Sequence, residues 1–218
     1  MKTPFLKIFA IVAVITFASC KDNSKEAKTT EAEEAAVADA TAMTYAVNTD
    51  KSMIEWKGYK PTGSHNGTIA IETGNIRVND EGIESGKFTF DMNSITVKDI
   101  PADNDSNAKL TGHLKSPDFF DAETYPISKF EITSIETVDN KTMLSGNLTM
   151  KDTTNNITIP VTTSMDGDTM TLNSETFTID RSKWNVKYGS KSFFDNLGDK
   201  FINDDIELTV SLVANKVQ

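Results

Sequence analysis

The sequence predicts an all-β fold, an antiparallel β-barrel that carries one or two short helices. Three observations lead to this prediction. Apolar and polar residues alternate with a period of two in several segments, turn-forming residues separate these segments at short intervals, and only two segments break the alternation. A sheet with one apolar face can cover that face by rolling into a barrel, which also leaves no exposed strand edge.

The clearest alternation predicts four half-buried strands, because residues two apart lie on the same face of a strand. The apolar residues expected on one face are Phe88, Phe90 and Met92; Leu144, Leu148 and Met150; Ile157, Ile159 and Val161; and Ile206, Leu208, Val210 and Leu212. Between Leu172 and Phe177 the apolar residues change from even to odd positions. This change predicts a bulge or a bend that restores one inward face.

Short connections between these strands predict antiparallel neighbours. Turn signals occur at residues 79–82, 138–141, 151–156 and 165–168. The two segments without alternation are expected to hold the helices. Residues 103–116 predict a short helix that ends before Pro117, and residues 191–201 predict another short turn.

The N-terminus predicts a secretory signal peptide over residues 1–19, since lysines and a short apolar run precede small residues. Ala18 and Ser19, directly before Cys20, resemble the lipobox of bacterial lipoproteins. This resemblance implies cleavage before Cys20 and lipidation of its thiol. The alternative is an ordinary signal peptide with a chance cysteine. We therefore expect a location in the cell envelope, with a lipid anchor in the outer membrane that faces the periplasm or the cell surface.

Residues 20–44 are expected to form a flexible linker with a helical tendency between Glu31 and Ala40. The segment is rich in Ala, Glu, Lys and Thr and has almost no large apolar side chain. Such a composition buries too little apolar surface to offset the entropy of ordering. Residues 45–218 are long enough for one domain with a sizeable core.

Composition and motifs disfavour several function classes. The formal net charge of −10 and the pI near 4.7 make nucleic-acid binding improbable. The sequence has two histidines without metal-ligand spacing, no GxSxG motif and no phosphate-binding glycine loop. We therefore predict no catalytic residue, no metal and no cofactor.

Residues 109–130 are interpreted either as a catalytic loop or as a cover over an apolar cavity. Phe119 and Phe120 either fill the barrel as ordinary core or line such a cavity. His113 is either a hydrogen-bonded structural histidine or a contact for a ligand headgroup. Arg181 is either a surface charge or a cation that holds a phosphate or a quinone oxygen.

Several motifs resemble one known family. "GHLKSPDFFDAETYPISKFEITSI" (residues 112–135) resembles the signature of the YceI-like lipid/polyisoprenoid-binding family, and residues 144–162, 177–190 and 204–214 are similar to later segments of it. "KGYKPTGSHNGTI" is similar to the early hairpin of Bacteroidetes lipoprotein members. The chain departs from the family at residues 152–155, where the family has a Gly-Val-Thr-Lys turn.

The resemblance implies an extended, lipocalin-like antiparallel barrel with a long apolar channel and no known catalytic residue. It implies a polyisoprenoid, a quinone tail or a fatty acyl chain as the ligand. We accordingly predict a membrane-tethered carrier or sequestering protein. The alternatives are a structural lipoprotein with a filled barrel, or an enzyme on an isoprenoid lipid with His113 as acid or base.

The predicted ligand site combines apolar residues of the barrel interior with polar residues near its opening. The headgroup candidates are His113 and Arg181. The predicted cavity residues are Phe88, Phe90, Met92, Phe119, Phe120, Phe130, Leu144, Leu148, Met150, Phe177, Leu208 and Val210.

Overall fold

The structure is a computed structural model, and it describes residues 25–217. The predicted signal peptide and the predicted lipidation site at Cys20 lie outside the described residues. Within residues 25–217 no helix is long and apolar enough to cross a membrane.

Twelve strands and one α-helix account for most of the described chain. The strands are β1 (Lys25–Glu26), β2 (Lys28–Glu31), β3 (Met43–Val47), β4 (Met53–Lys60), β5 (Gly63–Asn79), β6 (Gly82–Val97), β7 (Ile127–Val138), β8 (Lys141–Met150), β9 (Thr153–Asp166), β10 (Thr169–Ser174), β11 (Phe177–Asp180) and β12 (Asp205–Lys216). The helix α1 spans Asp105–Lys115, and 3₁₀ turns span Thr49–Lys51, Arg181–Trp184 and Gly198–Lys200. The predicted all-β class is confirmed.

The strands form a closed ring. From β4 to β10, each strand pairs antiparallel with the next strand of the barrel. β12 closes the ring, because it pairs with β10 and β11 on one side and with β3 and β4 on the other. This confirms the predicted antiparallel barrel.

The barrel has two different ends, which we call the closed end and the mouth end. Short hairpin turns at residues 80–81, 139–140 and 167–168 make up the closed end. The mouth end carries the turns at residues 61–62 and 151–152, the connection that contains α1, and a long loop at residues 185–204, the mouth loop.

The change of parity between Leu172 and Phe177 corresponds to a break between two strands. β10 ends at Ser174 and β11 begins at Phe177, and both strands pair with β12. Leu172 and Phe177 are both buried in the same apolar core. The bend therefore restores one inward face, as predicted.

The predicted helix near residues 103–116 is present as α1. Asn104 caps it, because its side-chain oxygen accepts a hydrogen bond from the main-chain N–H of Ser106 (2.9 Å). The Asn107 side chain donates to the carbonyl oxygens of Val97 and Ile100 (3.1 and 2.7 Å), which fixes α1 to the end of β6. Residues 191–201 hold only a 3₁₀ turn.

The described part of residues 20–44 differs from the flexible linker that we predicted. Residues 25–31, which we call the N-terminal strap, pair with the barrel as β1 and β2, and residues 32–40 form no helix. Next along the chain, Glu33 makes two main-chain hydrogen bonds to the side chain of Asn147. Composition does not reveal this arrangement, because strand edges and a side-chain amide hold the segment through its main chain.

Candidate functional site

A cavity of about 280 Å³ lies inside the barrel towards its mouth end. Side chains from β4 to β9, β11 and β12 line it, together with α1 and the mouth loop. Alternate residues of each strand point inward, so a single face of the barrel sheet supplies most of the lining. Most of these side chains are apolar.

Nine of the twelve predicted cavity residues lie in this lining. They are Phe90, Met92, Phe119, Phe120, Leu148, Met150, Phe177, Leu208 and Val210. Both headgroup candidates, His113 and Arg181, also border the cavity.

The other three predicted residues, Phe88, Phe130 and Leu144, do not line the cavity. They are buried in the apolar core that fills the barrel towards its closed end, where the rings of Phe88 and Phe130 lie 6.3 Å apart. Their side chains point inward as the alternation predicts. They meet other side chains there and not the cavity. Alternation could not predict this, because it gives the face of a residue but not its depth along the barrel.

Sequence reasoning missed part of the lining. Ile54 and Trp56 alternate on β4, and Ile157 and Ile206 belong to runs already identified as strands, so the period of two could have found all four. Residues outside the strands gave no comparable signal. The missed residues include Ile54, Trp56, Tyr59, Ile69, Ile95, Leu110, Leu114, Ile157, Ile179, Ile202 and Ile206.

The helix and the turn after it cover one side of the cavity. Leu110, His113 and Leu114 lie on the face of α1 that borders the cavity, as expected for residues three and four apart. After the helix, Phe119 and Phe120 extend the apolar cover, with ring centroids 6.0 Å apart. This part of residues 109–130 therefore lies over the cavity, as the interpretation of a cover expects.

His113 lies among aromatic rings and one carboxylate. Its ring meets Phe119 edge-on with centroids 5.3 Å apart, and it meets Tyr188 in the same way at 4.6 Å. Its Nε2 lies 3.7 Å from Oδ2 of Asp118, and about a third of the side chain is exposed (34%). His113 thus has packing contacts on the protein side and an open side towards water.

Arg181 is buried, which excludes the surface-charge interpretation: only 1% of the residue is exposed. Its guanidinium donates to the carbonyl oxygens of Val186, Ile202 and Asn203 (2.7, 3.1 and 3.1 Å) and pairs with Asp204 at 3.3 Å. The three hydrogen bonds engage three of its five N–H donors, and the contact with Oδ1 of Asp204 is an ion pair without hydrogen-bond geometry. Arg181 therefore ties both ends of the mouth loop to the barrel.

Burial lowers the pKa of Arg181, and the carboxylates of Asp204 and Asp180 oppose this effect. A charge removed from water is tolerated where carbonyl dipoles and a carboxylate surround it. The Arg181 guanidinium also lies 5.4 Å from the centre of the Phe119 ring, at the edge of the cavity.

Polar pairs surround the mouth. Nδ1 of His65 lies 2.8 Å from Oδ2 of Asp99, and the main-chain N–H of Asn66 donates to the other oxygen of Asp99 (2.9 Å). Burial raises the pKa of Asp99, but the hydrogen bonds from Asn66 and His65 outweigh it, and the pKa lies below its usual value. Tyr59 donates to Glu207 (2.8 Å), and burial together with this carboxylate raises the pKa of Tyr59.

Trp56 brings an unsatisfied donor to the cavity wall. Its Nε1 is buried and has no hydrogen-bond partner among residues 25–217. The other tryptophan, Trp184, is fully buried, and its Nε1 donates to the carbonyl oxygen of Leu148 (2.8 Å). In the described chain no group of three or more His, Cys, Asp or Glu side chains is placed to hold a metal ion.

Comparison with known proteins places this fold in a family. The profile of the YceI-like domain family matches residues 45–214. A UPF0312 protein of Photorhabdus laumondii is 28% identical over 149 residues, which cover 60% of this chain and 70% of that protein. Two UPF0312 proteins of Pseudomonas putida are 28% identical over 121 residues, or 53% of this chain and 58% of each relative, which is less than two thirds of their length.

Two solved structures share the fold. The crystal structure of Burkholderia cenocepacia BcnA matches with a TM-score of 0.60 and 22% identity, over 78% of this chain and 99% of that one. A polyisoprenoid binding domain from Saccharophagus degradans, implicated in plant cell wall breakdown, matches with a TM-score of 0.57 and 12% identity, over 80% of this chain and 99% of that one.

Proposed function

The chain belongs to the YceI-like domain family, and from this premise we propose that it binds a long apolar molecule inside its barrel and does not catalyse a reaction. The ligand classes that fit are a polyisoprenoid, a quinone tail or a fatty acyl chain. The cavity carries this proposal, because it is enclosed by a barrel wall and its lining is mostly apolar. The structural neighbour from Saccharophagus degradans, described as a polyisoprenoid binding domain, supports the same ligand class.

A hydrocarbon chain suits this cavity for a physical reason. Each CH₂ group removed from water contributes about 0.8 kcal/mol. Branched and unbranched side chains such as Ile54, Leu148 and Met150 line the wall and offer contacts along the ligand without demanding hydrogen bonds. The binding energy therefore grows with the length of chain enclosed, which favours lipids over compact polar molecules.

The polar end of the ligand is proposed to lie near His113, at the rim of the mouth. His113 borders the cavity and is partly open to water. Arg181 also borders the cavity, but main-chain carbonyl oxygens hold three of its N–H donors and Asp204 pairs with its charge. Arg181 is thus proposed to support the mouth loop first and to contact a headgroup second.

A barrel filled by its own side chains is the alternative, and it describes the closed half of the molecule well. Phe88, Phe130 and Leu144 fill that half. The cavity in the mouth half favours ligand binding over this alternative.

We further propose that a lipid on Cys20 tethers the protein in the cell envelope, in the outer membrane. The support is the sequence alone, in which small residues precede the single cysteine. Metabolic labelling with a palmitate analogue should mark the protein and not its Cys20→Ser variant. Labelling of both proteins, or of neither, would contradict the anchor.

Native mass spectrometry of residues 21–218, purified without detergent, tests the binding proposal. We expect an adduct with the mass of a polyprenyl or acyl compound, identified by organic extraction. Leu148→Trp, which fills the cavity, should lower occupancy by about tenfold or more, equal to about 1.4 kcal/mol. The control Thr149→Trp places the same ring on the outer face of β8 and should keep the adduct. A bare protein after incubation with quinones, fatty acids and polyprenyl phosphates would overturn the proposal.

A further inference from the structure

The barrel wall contains a seam between β9 and β11, beside the cavity. β10 stays paired with β9 up to its end, where the main-chain N–H of Glu175 donates to the carbonyl oxygen of Pro160 (3.1 Å). From this point towards the mouth, β9 on one side and β11 on the other separate. The seam ends where the Asn155 side chain donates to the carbonyl oxygen of Lys183 (2.9 Å). The seam runs from Pro160 to Asn155, which is roughly 17 Å at about 3.3 Å per residue.

The N-terminal strap occupies this seam. On one side β1 pairs parallel with β11, and the main-chain N–H of Ala27 donates to the carbonyl oxygen of Thr178 (2.8 Å). On the other side β2 pairs antiparallel with β9, where Thr29 lies opposite Ile157. The side chain of Ala27 reaches the barrel core and is 4% exposed.

The strap completes the barrel wall between two strands that line the cavity, and none of its own residues is in the lining. The strands on its two flanks carry cavity-lining residues, Ile157 on β9 and Phe177 and Ile179 on β11. Without the strap these strands would stand two strand spacings apart, about 10 Å. A gap of this width and length admits a hydrocarbon chain lying along the strands.

Few side-chain contacts hold the strap in place. Ala27 is the one buried side chain in residues 26–31, and the others are polar. An alanine methyl group is the smallest apolar side chain that burial can stabilise, so it holds the strap weakly. The remaining attachment is main-chain hydrogen bonding and an exposed ion pair between Glu26 and Lys183 at 3.5 Å, which is of the kind that contributes little.

Directly after the strap, the side chain of Asn147 holds the main chain of Glu33, and we call this attachment the Asn147 clamp. The side chain of Asn147 donates to the carbonyl oxygen of Glu33 (2.6 Å) and accepts from the main-chain N–H of the same residue (3.0 Å). Asn156 donates to the Asn147 side-chain oxygen (3.1 Å), so the clamp is itself held. The family match begins at residue 45, so the strap and Glu33 both lie before the matched region.

We propose that the strap is a removable wall strand, and that its release opens a lateral entrance to the cavity for a long apolar ligand. Release breaks the short ladders to β11 and β9 while the Asn147 clamp keeps Glu33 attached, so the strap swings from a fixed point. Use of the entrance by a ligand rests on the proposed function, whereas release of the strap does not. Five residues lead from Cys20 to Lys25 and span at most about 17 Å. A lipid on Cys20 would therefore hold the seam near the bilayer in which such a ligand resides.

A reversible lock tests this proposal. Lys28 and Thr158 lie directly opposite each other on β2 and β9, a separation that accepts a disulfide. The double variant Lys28→Cys/Thr158→Cys is made in residues 21–218. Its control, Ser164→Cys/Thr171→Cys, joins an opposed pair on β9 and β10 far from the seam. The probe is a dansyl-labelled undecanoic acid, followed as it transfers from the protein to phosphatidylcholine vesicles.

We expect the oxidised lock to slow transfer by about tenfold or more, with recovery on reduction, and the oxidised control to transfer at the original rate. Equal transfer from the oxidised and reduced lock would overturn the lateral entrance. Hydrogen exchange separates this result from failure of the proposed function, because it needs no ligand. Main-chain amides of residues 26–31 should exchange faster than those of residues 210–215 and should be protected by the lock. Equal protection in the two segments without the lock would overturn strap release even if the probe does not bind.

Discussion

The mouth half and the closed half of the barrel are built from the same strands with the same alternation, yet one encloses a cavity and the other is filled. In the closed half, Phe88 and Phe130 lie opposite each other on the neighbouring strands β6 and β7, and both rings are buried in the core. A Cβ atom on Gly74 would lie 2.7 Å from Cδ1 of Phe88, and one on Gly146 would lie 2.3 Å from Cζ of Phe130. The two glycines thus leave the space that these rings fill.

In the mouth half, the interior is covered from above instead of being filled. Phe119 and Leu114 come from the α1 connection, and Ile202 comes from the mouth loop. Arg181 ties the ends of that loop to the barrel through main-chain carbonyl groups. The same inward face therefore gives a core or a cavity according to which side chains meet at each depth of the barrel.

Two leucines on the inner face of β8 allow the two halves to be compared directly. Leu144 lies in the filled half and Leu148 at the cavity, and both are buried. Leu144→Ala creates a new void among packed side chains and should lower the free energy of unfolding by about 3–5 kcal/mol. Leu148→Ala enlarges an existing void, and its loss should be nearer 2 kcal/mol.

Urea denaturation of the two variants measures this difference, provided that their m values agree with that of the unaltered protein. Probe uptake gives a second comparison, since Leu144→Ala should leave it unchanged. Equal losses of stability would mean that the two halves are packed alike.

The sequence predicted the ring of strands well, because the alternation and the short turns are local signals. It also predicted the inward direction of Phe88 and Leu144 correctly, but not that they lie outside the cavity lining. The depth of a side chain along the barrel depends on which residues of the other strands lie beside it. The register of the strands sets these neighbours, and it changes at shifts such as the one between Thr68 and Ala70. The strap was missed for a related reason, because its attachment is through main-chain bonds that composition does not encode.

The next effect compares exposed apolar residues at the two ends. Phe193 and Phe194 in the mouth loop are 45% and 49% exposed, and Val138 and Met165 at the closed end are 48% and 49% exposed. Lys187 lies 4.8 Å from the centre of the Phe193 ring. We expect these rings to enter the interface of a lipid bilayer, where aromatic residues and lysine stems are favoured.

Phe193→Ser/Phe194→Ser should therefore weaken binding to phosphatidylcholine vesicles, measured by co-sedimentation, by about tenfold or more, since half-burial of two rings contributes roughly 1.5–3 kcal/mol. The control Val138→Ser/Met165→Ser removes two apolar side chains with similar exposed fractions from the closed end and should have no effect. An equal loss in both variants would show non-specific adsorption and would remove the distinction between the ends.

The smallest effect concerns the pair of His65 and Asp99 at the mouth. The pKa of Asp99 lies below its usual value of 3.8 because hydrogen bonds from Asn66 and His65 outweigh burial. A carboxyl group whose pKa is lower in the folded state contributes stability above its unfolded pKa, and this contribution is lost as the pH falls through the folded pKa. Asp99 is a quarter exposed (25%), so we expect no more than about 1 kcal/mol.

The measurement is the difference in unfolding free energy between the unaltered protein and Asp99→Asn. It should be present at pH 6 and should shrink as the pH falls below about 4. Asp166→Asn, in the strand end beside a closed-end turn, is the comparison for a general loss of negative charge. A difference for Asp99→Asn that stays constant from pH 6 to about pH 3 would mean that the carboxylate charge at the mouth does not stabilise the fold. The hydrogen bond from Asn66 would not account for such a difference, because an asparagine side-chain oxygen can still accept it.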